Sequence, residues 1–305
     1  MLLHIDTSND YNEFVQSPLM FADACENAMR YTRPVIISTR TFDGRTISGC
    51  ATFFMINRDG WALTAGHVFA SNIKFKEDMK KIQEYEQKKA KDPSIQPDSD
   101  WITNHSFWWG WDNVRISEAY VNLEIDIALC KLDGVRPDMV TGYPVFKDPD
   151  KMRPGTSLCR TGFPFVNNAT EFDETTKGFR IKPGILPMAF FPLEGIHTRN
   201  IFTGRSKDGN YEKLYVETSS PGIKGQSGGP IFDRNGYIAG MQIFTEHHPL
   251  EFRPSAVNER GEVVQENQFL NTGVGVHVKT IRAILDSKGV KYDIEGDDQG
   301  FRIVG

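Results

Sequence analysis

Gly225-Gln226-Ser227-Gly228-Gly229-Pro230 sets one serine between glycines just ahead of the β-rich pair Ile231-Phe232. Glycines on either side suit a sharp turn that exposes a hydroxyl next to bare backbone N–H groups. A serine hydroxyl is a poor nucleophile until a neighbouring base takes its proton. Two earlier segments offer that base and its support. Ala62-Leu63-Thr64-Ala65-Gly66-His67-Val68 brings His67 to the edge of one apolar β-type run, and Glu124-Ile125-Asp126-Ile127-Ala128-Leu129 brings Asp126 to the edge of another. An imidazole titrates near neutrality, so His67 suits proton transfer in both directions, from Ser227 during attack and to a leaving amine afterwards. Asp126 would accept a hydrogen bond from the other ring nitrogen, which fixes the tautomer and stabilises the imidazolium. Losing that role in a comparable triad costs about 10⁴-fold. An aspartate among Ile125, Ile127, Ala128 and Leu129 is costly to bury unless it is paired. Singly, these residues read as a glycine-serine turn, a core histidine and a strand-edge acid; together, in matched contexts, they read as a nucleophile, a base and an orienting acid.

The chain order histidine, aspartate, serine resembles that of the chymotrypsin-like serine peptidases. In finer detail it is similar to the trypsin-like domain of the HtrA peptidases. Gly162-Phe163-Pro164-Phe165 sits where that family has a Gly-x-Pro-Phe turn, and Gln226 stands where it has an uncharged amide before the serine. The resemblance covers roughly residues 35 to 285. It implies an all-β fold of two packed six-stranded antiparallel barrels, with His67 and Asp126 on the first, Ser227 on the second and the site in the cleft between them. It also implies a serine endopeptidase working through an acyl-enzyme. Gly225 and Ser227 would supply the oxyanion N–H donors, one such donor being worth about 3 kcal/mol of barrier.

Three positions depart from the chymotrypsin pattern. Gln226 replaces the aspartate that secreted relatives use to bind a freshly cut N-terminus, so activation by trimming is not expected. Ile243 falls where relatives carry a serine or threonine that supports the triad aspartate, unless Gln242 compensates. Pro221 lies at the base of the specificity pocket, where a protease for basic residues has an acid. With Ile243, Phe244, Thr245 and Gly273 as walls, the pocket is expected to take an uncharged P1 residue, apolar and small to medium in size. The strand carrying those walls should pair with substrate backbone as an added strand.

These residues need a scaffold of short strands. Val35 to Thr39, Cys50 to Ile56, Trp61 to Thr64, Tyr120 to Leu123 and Ile125 to Leu132 read as strands of the first unit. Ser157 to Thr161, Phe179 to Ile181, Leu214 to Glu217, Ile231 to Phe232, Tyr237 to Phe244 and Gly273 to Val278 read as strands of the second. Residues 1–33 form an N-terminal extension, with a helix starting at Ser17-Pro18 and running to about Arg30. Residues 34–145 hold the first barrel with a helical insertion at about 74–100, where Phe75, Met79, Ile82 and Tyr85 recur at helical spacing over residues 74 to 91. Asp133 to Pro154 reads as the connection between lobes. Residues 146–288 hold the second barrel and a closing helix, Lys279 to Ser287, capped by Gly289; residues 289–305 form a tail. Nothing after residue 285 is long enough for the PDZ domain that HtrA peptidases usually carry.

A net charge of −5 gives no nucleic-acid surface, and no apolar run approaches the ~20 residues of a membrane span. Met1 to Ile5 lacks the basic start of a secretory signal. Cys25, Cys50, Cys130 and Cys159 show no paired spacing and read as free thiols, in keeping with the cytoplasm. The chemistry implies no metal and no organic cofactor. Glu246-His247-His248 lacks metal-site spacing and reads as a solvated loop. Phe107-Trp108-Trp109-Gly110-Trp111 reads as packing beneath the inserted helix, with a partner-binding patch as the alternative. Partners are expected to be protein or peptide substrates, with the N-terminal extension and the inserted helix as candidates for docking an activator. Two other functional readings stay open: a silent pseudoprotease that binds peptides, and a latent protease awaiting a partner. An esterase on an α/β-hydrolase scaffold would place serine first in the chain, and no Gly-x-Ser-x-Gly precedes His67.

Overall fold

The computed structural model describes residues 20–296. Ser17 and Pro18, the expected helix start, lie outside them; the helix itself, α1, runs Ala22–Tyr31 and buries Ala24, Ala28 and Tyr31. It gives way at once to a strand that contains Pro34.

Six strands form the first sheet: β1 (Thr32–Thr41), β2 (Thr46–Met55), β3 (Trp61–Thr64), β4 (Ile102–Trp109), β5 (Arg115–Asn122) and β6 (Ile127–Asp133), hydrogen-bonded in the order β4-β1-β2-β3-β6-β5. Between β3 and β4 comes a single 3₁₀ turn, Gly66–Phe69, and then α2, Ala70–Lys89. The inserted helix is therefore continuous with the turn that carries His67. Its inner face buries Ile82, Tyr85 and Asp78; the Asp78 carboxylate accepts the Ile102 N–H (2.9 Å) and pairs with Lys74 and Lys81. The aromatic run is strand β4 and the turn after it. Trp109 is buried between Phe53 and Phe69, whereas the Trp108 indole donates to Asp112 (3.0 Å).

The second sheet is built from β7 (Val145–Phe146), β8 (Ser157–Gly162), β11 (Phe191–Arg205), β12 (Glu212–Thr218), β13 (Pro230–Phe232), β14 (Tyr237–Pro249), β17 (Phe269–His277) and β18 (Asp293–Ile294). Because β13 pairs with both β8 and β14, the strands β13-β8-β11-β12-β17-β14 close on themselves as a six-stranded barrel. The short β7 and β18 extend it in parallel beyond β14. Two hairpins stand apart: β9 (Thr170–Asp173) with β10 (Gly178–Ile181), and β15 (Ser255–Val257) with β16 (Val263–Gln265). Residues 179–181, expected in the barrel, thus belong to a separate hairpin. The long β11 escapes a hydrophobic reading because Pro192, Glu194, Gly195 and Asn200 interrupt it. The mostly β architecture is that of a chymotrypsin-like double barrel.

The closing helix α3 spans Val278–Ser287 and buries Ile281, Ile284 and Leu285. His277 caps it, its Nδ1 accepting the Lys279 N–H (3.0 Å), and Gly289 follows with φ +65° as a left-handed terminator. Among the described residues no helix is long and apolar enough to cross a membrane, and the four cysteines are free.

Candidate active site

His67 is presented by the 3₁₀ turn at the end of β3. Gly66 makes this possible by close approach: a Cβ there would lie 3.0 Å from both the Asn122 carbonyl oxygen and the Ile127 nitrogen. The histidine turn is thereby seated on the β5–β6 connection that holds Asp126. In that connection the Asn122 side-chain oxygen accepts the N–H groups of Glu124 and Ile125, both at 3.0 Å, an Asx turn. Ile125 anchors it in the core, and Asp126 takes φ +65°, a left-handed conformation uncommon outside glycine. Glu124 ties the same turn to the second barrel, accepting from Lys213 Nζ (2.9 Å) and the Lys207 N–H (3.0 Å).

The outcome is a two-point clasp. Asp126 Oδ2 lies 2.8 Å from His67 Nδ1, and Oδ1 accepts the His67 backbone N–H at 2.7 Å. With a carboxylate on Nδ1 the ring proton belongs there, which leaves Nε2 bare as the basic nitrogen. Among the described residues, every hydrogen bond to the Asp126 carboxylate comes from His67, whose Nδ1 also lies 3.1 Å from Oδ1. Ile243 offers its side chain to the core, not to the carboxylate. Gln242 does not compensate either: its amide oxygen accepts from Arg160 (2.8 Å) and its nitrogen donates to the Phe244 carbonyl (2.8 Å). The tyrosine of β12, Tyr215, lies close enough to feel Asp126. Burial, the larger cause, and the negative charges of Asp126 and Glu124 raise its phenol pKa against the opposing bond to Thr203.

Ser227 approaches from the other barrel. Its turn is closed by the Gln226 N–H donating to the Ile223 carbonyl (2.8 Å), with Gly225 at the third position and φ +105°, the glycine site of a type II turn. A side chain at 225 would also collide with the Phe163 carbonyl of the Gly-Phe-Pro-Phe loop. Gln226 is fully buried and braces the loop from within, its oxygen accepting the Ile223 N–H (3.0 Å) and its nitrogen donating to the Phe191 carbonyl (3.2 Å). Among the described residues neither the Gly225 nor the Ser227 N–H has an acceptor. The Ser227 hydroxyl donates to the Ile243 carbonyl (3.2 Å) and makes no hydrogen bond to His67.

Thr52 of β2, which sequence reasoning passed over, joins the two halves. Its N–H donates to the Ser227 carbonyl (2.8 Å), its hydroxyl donates to the Gly225 carbonyl (2.7 Å), and its own carbonyl accepts from Thr64 (2.7 Å), three residues before His67. Nothing in its local sequence marks it as more than a strand residue. Of the expected pocket residues, Ile243 touches the serine through its carbonyl. Thr245 is paired with Gly273 across β14 and β17, and its hydroxyl donates to the carbonyl of Gly222, next to Pro221 (2.6 Å). Phe244 is exposed. Glu246-His247-His248 is part of strand β14, not a loop. Glu217, Glu246 and His248 offer ligand atoms within 4.8 Å of one another, but the Glu217 carboxylate is already held by Thr198 (2.6 Å) and Arg199 (2.9 Å).

A double-barrel fold with an imidazole held by a carboxylate in one half and a serine on a glycine turn in the other has the parts of the chymotrypsin-like serine proteases. Over residues 51–241 the sequence matches the trypsin-like peptidase domain, and the chain belongs to that family. A search of curated proteins finds no match. Similar solved structures include the active form of the Rv3671c protease from M. tuberculosis, at 14% identity and TM-score 0.47, covering 90% of this chain and 89% of that one. They also include an AlgW variant, an HtrA-type protease with a bound tripeptide, at 14% identity and TM-score 0.45, covering 88% of this chain and 62% of that one.

Proposed function

We propose that the protein is an endopeptidase in which Ser227, activated by His67 and Asp126, attacks a peptide carbonyl. The Ser227 proton passes to His67 Nε2 while Asp126 holds the Nδ1 proton and the developing imidazolium. The Gly225 and Ser227 N–H groups receive the oxyanion. His67 returns its proton to the leaving amine, and water, deprotonated by the same nitrogen, then releases the acyl group from Ser227. The observation that carries this reading is the His67–Asp126 clasp, which leaves one ring nitrogen bare while two unpaired N–H groups flank a serine tied to the same strand pair through Thr52. No step needs a metal or a cofactor. Pro221, Ile243, Phe244, Thr245 and Gly273 line the primary specificity pocket, and β14 receives the substrate backbone. The four free thiols support a reducing compartment, the cytoplasm; the partners are peptides or proteins, not nucleic acid or membrane.

A fluorophosphonate probe, which reacts with an activated serine, tests the triad directly. Wild-type protein labels, and Ser227→Ala and His67→Ala do not; equal labelling of all three removes the triad. One observation favours a second reading, in which the enzyme waits for an activating partner: the Ser227 hydroxyl is bonded to the Ile243 carbonyl and not to His67. Full peptide cleavage by the isolated chain excludes it.

A further inference from the structure

The primary pocket holds a charge that its wall residues do not reveal. Arg160, on β8, is 1% exposed, and its guanidinium lies against Gly273 of β17 and bonds Gln242 of β14. A Cβ built on Gly273 would overlap the Arg160 guanidinium, and one built on Gly222 would overlap the Gln242 carboxamide. Thr245 links these two glycines: it pairs with Gly273 across β14 and β17, and its hydroxyl donates to the Gly222 carbonyl (2.6 Å). Their missing side chains are thus replaced by a polar floor: the guanidinium at one side and the carboxamide at the other.

That floor is incompletely paired. Arg160 donates one N–H to Gln242 Oε1 (2.8 Å), while its Nε and its second terminal nitrogen are buried without an acceptor. Among the described residues no carboxylate forms an ion pair with it. Burial lowers the guanidinium pKa to about 10, with Cys159 opposing, so the group is still a cation at neutral pH. A buried cation without a counter-charge is expensive, and a guanidinium with unused N–H groups has the donor geometry that carboxylates fit best. Gln242, already turned toward the Phe244 carbonyl, supplies no negative charge.

We propose that Arg160 is the specificity-determining residue of the primary pocket, and that the enzyme cleaves after an acidic P1 residue whose carboxylate meets the Arg160 guanidinium. This rests on the endopeptidase reading above and revises the expectation of an uncharged P1. That expectation weighed Pro221, the position where a counter-charge for lysine or arginine would sit, and the walls Ile243, Phe244, Thr245 and Gly273, but not a cation arriving from β8. The same floor repels a basic P1 and, by filling the slot between Gly222 and Gly273, shortens it against large aromatic side chains.

The test compares kcat/KM for two fluorogenic peptides identical except for Glu or Gln at P1. Glu is expected to be preferred by about ten- to a hundredfold at neutral pH, the usual worth of a hydrogen bond to a charged group expressed as a ratio. The preference should fade as the peptide carboxyl protonates near pH ~4.3, and Arg160→Gln should bring the ratio close to one. Parity, or a preference for Gln, in the wild-type protein overturns the proposal without any variant. If neither peptide is cut, the affinity of Ser227→Ala for the same two peptides reads the same ratio without chemistry. Fluorophosphonate labelling of the wild type then separates the two failures: absent labelling speaks against the triad, and equal affinities speak against Arg160.

Discussion

Thr52→Val tests whether the first barrel holds the oxyanion loop in register. Valine keeps the β-branched shape of a fully buried side chain and removes only the hydroxyl that donates to the Gly225 carbonyl at 2.7 Å. The bond from the Thr52 N–H to the Ser227 carbonyl survives, because it belongs to the backbone. The serine therefore stays in place while the preceding peptide loses its anchor. A buried carbonyl left without a donor costs about 1–3 kcal/mol, enough to let the Ile223–Gln226 turn rotate toward arrangements that bring this oxygen to water. Each such rotation also re-aims the Gly225 N–H, a donor worth about 3 kcal/mol in the transition state. We expect kcat to fall by roughly ten- to a hundredfold, between the cost of the anchor and the full value of the donor, with KM changed far less. Fluorophosphonate labelling should slow in proportion, since that probe uses the same oxyanion donors. Thr52→Ser, which restores the hydroxyl, should recover most of the loss. Steady-state kinetics and a thermal melt decide the matter: a kcat within twofold of wild type, with only a lowered melting temperature, would make Thr52 a packing residue and refute the anchoring argument.

Two further outcomes follow from buried groups around the site. His277 is pushed down to about pKa 4, first by burial and then by the charges of His197 and Lys279, and it caps α3 as a neutral acceptor. Its folded value lies below the unfolded value of ~6.5, so the unfolded chain binds more protons between pH 4 and 6.5. Stability is full above that window and declines as pH falls through it, by up to about 1.4 kcal/mol per unit. His105, also pushed down to about 4 by burial and by Lys76, acts in the same direction. In melts from pH 7 to 4.5, His277→Asn, which keeps a capping oxygen, should flatten the slope without abolishing it; an unchanged slope would show that His277 does not contribute. Gln226→Glu removes the donor to the Phe191 carbonyl and places a carboxylate in a buried site. It should destabilise the protein by about 1–3 kcal/mol at neutral pH and slow labelling of Ser227, whereas wild-type melting and labelling would mean that the amide does not brace the loop.

The parts of this site legible in sequence are those whose chemistry needs a local signature. A nucleophilic serine needs a turn, so Gly225 and its neighbours mark it. The histidine turn needs a residue without a side chain where it seats on the aspartate loop, so Gly66 precedes His67. Strands were legible where apolar residues cluster, as in β2, β3 and β6, and were lost in β11, whose pairing is set by backbone hydrogen bonds to β8 and β12 and not by a hydrophobic face. The inserted helix was legible from its apolar spacing, but not its start at Ala70, because the 3₁₀ turn leading into it has no side-chain cap.

Thr52 and Arg160 were invisible for a different reason. Each acts at a distance of many residues, Thr52 on Gly225 and Ser227, Arg160 on Gln242 and Gly273, and each lies in a strand whose local pattern is satisfied without it. A buried threonine in a β-run looks like packing. An arginine between Cys159 and Thr161 looks like an outward-facing charge, since charged residues are almost never buried unless paired. Only closure of the second barrel, through the double pairing of β13, turns Arg160 inward onto Gly273 and Gln242. The glycines at 222 and 273 carry the same information from the other side: their Cα atoms are bare because a side chain from elsewhere occupies the space. Specificity in this fold is therefore written in two places, the walls that the chain order makes contiguous and the floor that only the closed barrel brings to them. A reading limited to the walls leaves the Arg160 cation out of account.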